Sequence, residues 1–208
     1  AIQLNAQILM RDDLDKLQDD QRQQRLLNIV EGSRRASSIV QRLKRFINNR
    51  EKSPVSLGLQ DAVDEVLDLV PPRLENGSIR IDLAIAPDVQ VFADESQLQM
   101  VLLNLLNNAI DALAEASTAS PRISIMCFAE ADFAILRVRD NGPGIDPAQA
   151  EDIFALFKTS KSGGMGVGLW LSQAIVNAHG GQLGFDSTPG QGAVFFLRLP
   201  VHHDRLVF

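Results

Sequence analysis

The sequence is poor in cysteine, in long apolar runs and in positive charge. Its single cysteine, Cys127, cannot form an internal disulfide, and we interpret it as a buried reduced thiol of a cytosolic protein. No apolar run approaches the roughly 20 residues that a membrane-spanning helix requires, and no signal peptide is visible. The net charge of −6 does not favour non-specific binding of nucleic acid. We therefore expect neither a nucleic-acid partner nor a membrane segment in this chain.

The first 50 residues contain no proline and only one glycine, and their apolar residues fall at helical spacings. They predict a helical hairpin over residues 1–50, whose long second helix has one apolar face: Leu26, Ile29, Val30, Val40, Leu43 and Ile47. A hairpin is too thin to bury such a face, so we expect a homodimer through residues 1–50, as an antiparallel four-helix bundle. The alternative is a two-helix flank that packs on its own domain. Because Ala1 already lies in a helical pattern, we expect a fragment of a longer protein.

The remaining sequence mixes strand and helix patterns and predicts a second domain over residues 57–200. A polar segment that contains Pro54, residues 51–56, predicts a linker before it, and residues 201–208 form a tail. In addition to the helix of the next paragraph, we predict helices over Leu57–Val70, Pro147–Phe157 and Gly168–Ala178. The predicted strands are Ile79–Ile85, Val89–Phe92, Arg122–Phe128, Phe133–Arg139, Gln182–Asp186 and Gly192–Leu199. The expected fold class is α+β, with a mixed, largely antiparallel sheet and helices on one face.

One predicted helix has polar residues in line beside its apolar face. Val101–Ala114 reads VLLNLLNNAIDALA, follows Asp94 as a predicted N-cap and contains no glycine or proline. Asn104, Asn108 and Asp111 lie at i, i+4 and i+7, so they share one narrow stripe, called the polar stripe below. The neighbouring arc is apolar and should face the core: Leu98, Leu102, Leu105, Ala109 and Leu113. The polar stripe is either the edge of an ordinary amphipathic helix or part of a binding site.

The segment Asp140–Gly144, DNGPG, follows a predicted strand directly. A carboxylate at a strand end can accept a hydrogen bond from an exocyclic amine such as adenine N6. Gly142 and Gly144 would let the backbone approach a flat ring, because no Cβ stands in the way. The alternative is a glycine-rich turn without a ligand. Together, these residues would recognise a purine base.

A second glycine-rich segment contains Gly164, Gly166 and Gly168 and leads directly into the predicted helix Gly168–Ala178. Successive backbone N–H groups and a helix N-terminus form an anion site. The segment does not follow a strand, which disfavours a dinucleotide-binding Rossmann unit. The basic and hydroxylated residues 158–163 before it are what we expect of a mobile lid over a triphosphate. The alternative is a solvated loop.

The polar stripe then has a potential role in metal binding. An amide oxygen is a hard ligand that suits Mg²⁺, which keeps water and phosphate oxygens in its coordination shell. Either Asn104 or Asn108 could supply this ligand, and the other could donate to a phosphate or hold a metal-bound water. Asp111 would lie near the ribose or a metal-bound water.

Four motifs in order, NLLNNAIDA, DNGPG, FALF and GMGVGL, resemble the N box, first G box, F box and second G box of bacterial sensor histidine kinases. The resemblance covers about residues 56–200 and includes Phe154 and Phe157 in the F box. It implies the Bergerat fold, an α/β sandwich shared with gyrase, a heat-shock chaperone and mismatch-repair ATPases, which binds ATP with Mg²⁺. In this family the second asparagine of the N box holds the metal, which points to Asn108.

The resemblance also implies a reaction, in which the γ-phosphate of ATP passes to a histidine and then to an aspartate on the receiver domain of a response regulator. Residues 1–50 resemble the dimerisation and phosphotransfer domain of the same kinases. The implied location is the cytoplasm, either as a free protein or as the cytoplasmic part of a membrane sensor. The nucleotide contacts indicated by the motifs and the resemblance are Asn104, Asn108, Asp111, Asp140, Gly142, Gly144, Thr159, Lys161, Gly164, Gly166, Gly168 and Leu169.

Three positions differ from, or bear on, the family pattern. No histidine precedes His179, which we expect to cap its own helix, so the phosphoacceptor should precede Ala1 and this fragment should bind ATP without autophosphorylation. Asn104 stands where hydrolytic members carry a general-base glutamate, and a neutral amide cannot accept a proton. In the family a Ser or Thr often supports the aspartate at the position of Asp140, but this chain has Ala193 in place of that Ser or Thr. A water or a backbone group must support Asp140 instead. The alternative function is a nucleotide-responsive dimerisation module without kinase activity.

Overall fold

The computed structural model describes residues 20–30, 32–33, 53–70, 79–118, 120–159 and 166–201. The chain divides into two compact units, Ala1–Arg50 and Glu51–Phe208. In the first unit residues 20–30 are helical, as their apolar spacing predicts, and Leu26, Leu27 and Val30 are about half exposed in the single chain. The predicted first helix of the hairpin and most of the second lie outside the described residues, as does the tail after residue 201.

The second unit contains seven strands and four helices in its described residues. In chain order they are β1 (Val55–Gly58), α1 (Leu59–Asp68), β2 (Arg80–Ile85), β3 (Gln90–Ala93), α2 (Glu95–Glu115), β4 (Arg122–Glu130), β5 (Phe133–Asp140), α3 (Pro147–Ala150), α4 (Gly168–Ala178), β6 (Gln182–Ser187) and β7 (Ala193–Pro200). Within the described ranges, no helix has both the length and the apolar character to span a bilayer.

Five strands form one sheet in the order β2-β4-β5-β7-β6, and β1 pairs separately with β3. β2 is parallel to β4, whereas the other neighbouring strands of this sheet are antiparallel. Inward-facing residues of adjacent strands are in register and buried, as for Ile125, Val138 and Phe195. α2 packs on β4 and β5, and α4 packs on β6 and β7, so these helices cover the buried face. The predicted α+β fold with a mixed, largely antiparallel sheet is confirmed.

Helix α2 confirms the helix that the sequence predicts around Val101–Ala114. Its N-cap is Asp94, whose side chain accepts a hydrogen bond from the backbone N–H of Gln97 at 2.9 Å. The residues that we expected to face the core are all buried: Leu98, Leu102, Leu105, Ala109 and Leu113. The polar stripe therefore lies, half-buried, beside the main core of this unit.

The first helix of the second unit begins later than the sequence pattern predicts. The prediction covers Leu57–Val70, whereas α1 begins at Leu59 because the four residues of β1 are extended and pair antiparallel with β3. The linker predicted over residues 51–56 therefore reaches two residues too far, into β1. Four residues are too few for a strand period to stand out beside a helical pattern.

The helix predicted over Pro147–Phe157 is shorter than expected and ends after a single turn, at Ala150. Beyond it, the N–H groups of Asp152 and Ala155 donate to carbonyls three residues earlier, which is a turn pattern. Phe157 then adopts a left-handed φ of 67°, which an α-helix does not contain. The helical prediction for the second half of this segment is therefore wrong.

Leu136 is fully buried at the centre of the sheet, on β5 between Cys127 of β4 and Leu197 of β7. We expect Leu136→Ala to lower the free energy of unfolding by about 2–5 kcal/mol, because it removes buried apolar atoms and leaves a cavity. Urea unfolding followed by the fluorescence of Trp170, the only tryptophan, measures this unit. The control is Leu83→Ala on the edge strand β2, where the half-exposed side chain should contribute about 0.5 kcal/mol or less. Equal losses would contradict this description of the core.

Candidate functional site

Asp140 is the last residue of β5 and continues the inward-facing row of that strand. Its side chain is buried, and its Oδ1 accepts hydrogen bonds from the backbone N–H groups of Gly142 at 2.8 Å and Ala193 at 3.4 Å. Both of these donors engage Oδ1 and not Oδ2. The backbone of Ala193 thus supplies the support that the sequence analysis required of water or a backbone group. One oxygen is held in place and the other can accept a hydrogen bond from a ligand.

Burial raises the pKa of the Asp140 carboxyl above its ordinary value. The hydrogen bonds from Gly142 and Ala193 and the charge of Arg139 act in the opposite direction. A buried carboxylate lowers the stability of the fold unless it is paired with a positive charge or fully hydrogen-bonded. A titratable group of this kind, at the end of a strand and beside a loop, is typical of a functional site.

The loop after β5 is fixed by contacts with the connection between β6 and β7. Gly144 has a φ of 73°, and a Cβ added there would lie 2.5 Å from the carbonyl oxygen of Thr188. The backbone N–H of Ile145 donates to Ser187 Oγ at 2.9 Å, and this hydroxyl donates to the carbonyl of Gly192 at 2.9 Å. Only glycine fits at position 144, because a side chain would require both a strained backbone and a displaced neighbour.

Gly142 brings the same loop against α2. A Cβ added at Gly142 would lie 3.6 Å from the Cβ of Ala112 and 2.9 Å from Asp140 Oδ1. Ala112 follows Asp111 directly, and it lies one turn after Asn108 on the same face of the helix. The carboxylate of Asp140 and the C-terminal half of the polar stripe are therefore neighbours.

Asn104, at the other end of the polar stripe, contacts the first turns of α4. Its Nδ2 donates to Ser172 Oγ at 3.0 Å, and its Oδ1 occupies the space that a side chain at Gly168 would need. Asp94, the N-cap of α2, contacts His179, the C-cap of α4. The start of one helix thus meets the end of the other, so α2 and α4 are antiparallel. The N-terminus of α4 lies beside Asn104.

Gly166, in the glycine segment before α4, is hydrogen-bonded to the backbone of the F-box residue Phe157. The N–H of Phe157 donates to the carbonyl of Gly166 at 2.9 Å, and Gly166 has a φ of 64°. A Cβ at Gly166 would lie 2.5 Å from backbone atoms of both Phe157 and Lys158. The hydrogen bond and the charge of Asp152, 2.8 Å from Lys158 Nζ, raise the pKa of this exposed lysine. Phe157 and Lys158 therefore lie next to Gly166.

The remaining candidate residues are placed less closely or not at all. Thr159 is exposed next to Lys158, and Leu169 is half-buried in the first turn of α4. Lys161 and Gly164 lie outside the described residues. The structure thus brings Asn104 to Gly168 and brings Gly142 to Ala112, the residue after Asp111.

The donor chemistry of this region bears on which metal it could hold. The described part of the chain contains no group of three or more His, Cys, Asp or Glu side chains that could hold a metal by themselves. A cation here would depend on amide oxygens and on the oxygens of its ligand, a donor set that suits Mg²⁺ and does not suit zinc. The residues present therefore fit a metal that is shared with an anionic ligand.

Sequence reasoning missed Ser172 and Ser187, which hold the site together. Ser172 lies four residues after Gly168, so both share one face of α4, but nothing in the sequence marks that face as the one against Asn104. Ser187 ends a strand, and the partners of its hydroxyl depend on the loop from another part of the chain. Both roles depend on tertiary pairing, which spacing along the chain does not contain.

Comparisons with known proteins agree on one family. Residues 93–203 match the family described as histidine kinase-, DNA gyrase B-, and HSP90-like ATPase. The chain is 34% identical over 173 residues to the sensor protein FixL of Bradyrhizobium diazoefficiens, covering 82% of this chain and 34% of that protein. It is 36% identical over 169 residues to the signal transduction histidine-protein kinase AtoS of Escherichia coli, covering 80% of this chain and 27% of that protein. The chain thus spans about a third or less of the length of these relatives.

Solved structures show the same fold. The catalytic domain of histidine kinase ThkA matches with a TM-score of 0.64 at 28% identity, covering 72% of this chain and 96% of that chain. Full-length ShkA in complex with AMPPNP matches with a TM-score of 0.68 at 27% identity, covering 91% of this chain and 40% of that chain. The similarity therefore extends over nearly all of a solved catalytic domain.

We expect Asp140→Asn to preserve or raise the stability of the ligand-free protein. The amide oxygen can accept the same two backbone hydrogen bonds, while the buried negative charge is removed. Because the pKa of Asp140 is raised in the fold, its stabilising contribution is complete below about pH 3.9 and is lost as the pH rises through the folded pKa. Urea unfolding followed by Trp170 should therefore show a larger gain for the variant at neutral pH than at acid pH. A variant less stable than the wild type at neutral pH would contradict this.

Proposed function

Since the chain belongs to the family of histidine kinase-, DNA gyrase B- and HSP90-like ATPases, we propose that it is the ATP-binding core of a two-component sensor histidine kinase. In this proposal the γ-phosphate of ATP passes to a histidine outside this chain, and then to an aspartate of a response regulator. The observation that carries the proposal is the meeting of Asp140, the polar stripe and the N-terminus of α4 in one region. Each of the three suits a different part of one nucleotide.

The adenine is proposed to bind at Asp140. Backbone N–H groups engage Oδ1, so Oδ2 can accept a hydrogen bond from the exocyclic N6 amine. Gly142 has no side chain between this carboxylate and α2, and Gly144 keeps the loop close, so a flat ring can approach the backbone. Guanine carries a carbonyl oxygen where adenine carries the N6 amine. This oxygen would face the carboxylate oxygen of Asp140, and two acceptors cannot form a hydrogen bond, so the site should favour adenine over guanine.

The phosphates are proposed to bind at the N-terminus of α4. This helix has 11 residues, begins at Gly168 and receives no capping hydrogen bond from a side chain of the described residues. Its first N–H groups and its dipole therefore favour an anion. In the proposal Lys161, Gly164 and Gly166 add charge and backbone donors, and Thr159 and Leu169 lie at the edges of this phosphate site.

The metal is proposed to bind at Asn108. The family resemblance points to Asn108 as the metal ligand, whereas Asn104 contacts Ser172 and Gly168 and joins the two helices. Mg²⁺, when bound, would neutralise phosphate charge during transfer. Asp111 lies further along the polar stripe and would approach the ribose or a metal-bound water.

The residue type at Asn104 favours transfer of the γ-phosphate to a separate acceptor over steady hydrolysis of ATP. It stands at the position of the general base in hydrolytic members, but a neutral amide cannot take a proton from water. Its Nδ2 donates to Ser172 Oγ, so its role in the fold is to join two helices. In the proposal the chain therefore holds ATP until a histidine is presented to it.

The proposal includes two protein partners. Residues 1–50 would form a homodimer, in which the apolar residues of segment 20–30 that are exposed in the single chain would be covered. A receiver domain of a response regulator would accept the phosphate from the histidine. The histidine would be phosphorylated from cytoplasmic ATP, so the proposed location of this core is the cytoplasm.

Phosphotransfer from labelled ATP tests the proposed function. The chain is incubated with Mg²⁺, γ-labelled ATP and a histidine-bearing hairpin from a related sensor kinase. We expect an acid-labile label on the hairpin, and none when its histidine is replaced by alanine. ATP binding without transfer would favour the nucleotide-responsive dimerisation module, and a failure to bind ATP would contradict both functions.

Asp140→Asn should weaken binding of AMPPNP, an ATP analogue, by at least about tenfold, because the charge-assisted hydrogen bond to the adenine amine is lost. Calorimetric titration with AMPPNP and Mg²⁺ measures this loss. The matched control is Asp186→Asn, an exposed aspartate on the opposite face of the sheet, which should leave the affinity unchanged. Unchanged affinity in the Asp140 variant would exclude the proposed adenine contact.

Asn108→Ala should remove most of the gain in ATP affinity that Mg²⁺ provides, while affinity without Mg²⁺ stays close to that of the wild type. Titrations of ATP with and without Mg²⁺ measure both quantities. The matched control is Asn107→Ala, because Asn107 Nδ2 donates to the carbonyl of Leu103 in its own helix at 2.8 Å. If Asn108→Ala weakens binding equally under both conditions, the metal role of Asn108 is wrong.

A further inference from the structure

His179 joins the end of α4 to the start of α2. Its Nδ1 lies 2.8 Å from the carbonyl oxygen of Ile175, which confirms the expected capping of its own helix. Its Nε2 accepts a hydrogen bond from the backbone N–H of Asp94 at 3.0 Å, and Asp94 is the N-cap of α2. The sequence analysis did not predict this second contact, which links residues 85 positions apart.

The two contacts fix the protonation of the ring. An N–H group donates to Nε2, so Nε2 must present its lone pair. A carbonyl oxygen faces Nδ1, so Nδ1 must carry the proton. The neutral tautomer with the proton on Nδ1 is therefore the form that satisfies both partners.

Asp94 is held from within its own helix by the backbone N–H of Leu98, which donates to its carbonyl oxygen at 2.9 Å. It is 3% exposed, and its Oδ1 accepts the backbone N–H of Gln97. Its Oδ2 is buried and accepts no hydrogen bond from the described residues. Removing the acceptor on His179 would leave two buried polar atoms of Asp94 without a partner, which is a strong reason for the helix start to move.

The pair of antiparallel helices is thus attached at two points. Asn104 meets Ser172 and Gly168 near the start of α4, and Asp94 meets His179 at its end. Two hydrogen-bonded contacts along one pair of helices fix the position of α4 along the axis of α2. The same position sets the distance from the N-terminus of α4 to Asn108.

We propose that His179 is a positioning residue for the phosphate half of the nucleotide site, acting through its hydrogen bond to the backbone of Asp94. This inference rests on the proposed ATP binding and deepens it. The residue itself lies at the far end of α4, 11 residues after Gly168, and its two hydrogen bonds are with Asp94 and Ile175. Losing its bond to Asp94 should shift α4 along α2 and weaken phosphate binding, while adenine binding at Asp140 is preserved.

Two substitutions separate the contacts of His179, because each keeps a polar group near one of the two ring nitrogens. His179→Asn keeps a donor at the place of Nδ1 but is too short to reach Asp94. His179→Gln keeps an acceptor at the place of Nε2 and can still bind the N–H of Asp94. The control is Asn177→Ala, which removes an exposed side chain from the same turn of α4.

Calorimetry with ATP and with adenosine gives the readout, because adenosine lacks the phosphates. We expect His179→Asn to lower ATP affinity roughly five- to tenfold and to leave adenosine affinity within about twofold. His179→Gln should restore most of the ratio of ATP to adenosine affinity, and Asn177→Ala should leave both affinities unchanged. An unchanged ratio in His179→Asn would overturn the inference, because a residue that only stabilises the fold affects both ligands alike.

Two further outcomes are decisive. If the fluorescence of Trp170 shows that His179→Asn does not fold, His179→Leu, which has no acceptor for the N–H of Asp94, takes its place: a ratio lowered about fivefold or more supports the inference, and an unchanged ratio overturns it. A wild-type chain that binds neither ligand overturns the proposed function and this inference with it. Wild-type binding together with an unchanged ratio in the variants overturns only the role of His179.

Discussion

The packing of α2 against α4 decides the geometry of the site, because it sets how close the glycine segment comes to the polar stripe. The carboxamide of Asn104 occupies the space that any side chain at Gly168 would need, so the two helices approach closely there. Asn104 and Ser172 also satisfy each other in a half-buried position, where an unpaired amide would cost about 1–3 kcal/mol. The N-terminus of α4, which no described side chain caps, is thereby held beside the polar stripe.

The sheet that stabilises the fold also holds a destabilising group. Leu136, Val138 and Asp140 alternate along β5 and face the same buried side, so the strand that supplies the core ends in a buried acid. Each apolar side chain in this row contributes about 1.5–3 kcal/mol through burial. The backbone donors to Asp140 oppose the effect of burial without cancelling it, since the pKa of the carboxyl remains raised. The core thus keeps a costly acceptor in place, as is common at functional sites.

Much of the fold follows from periodicity, but parts of the site do not. The strands β4 and β5 lie within two residues of their predicted ends, and α2 begins directly after its predicted N-cap Asp94, because each of these elements contains several periods. The prediction is wrong over Val55–Gly58 and after Ala150, where the observed elements have four residues each, too few for their period to stand out. Motif chemistry predicts Asp140 and Asn104 as site residues, since their residue types suit a ligand. The bonds of Asn104 to Ser172 and of Asp94 to His179 join distant segments, so no local spacing reveals them.

The most direct measurement is a crystal structure of the chain with AMPPNP and Mg²⁺. We expect one nucleotide whose adenine amine lies about 3 Å from the carboxylate of Asp140, with its phosphates at the N-terminus of α4 and Asn108 at the metal. A nucleotide bound without contact to Asp140, or with its phosphates away from Gly166 and Gly168, would contradict the central claim that these segments form one site.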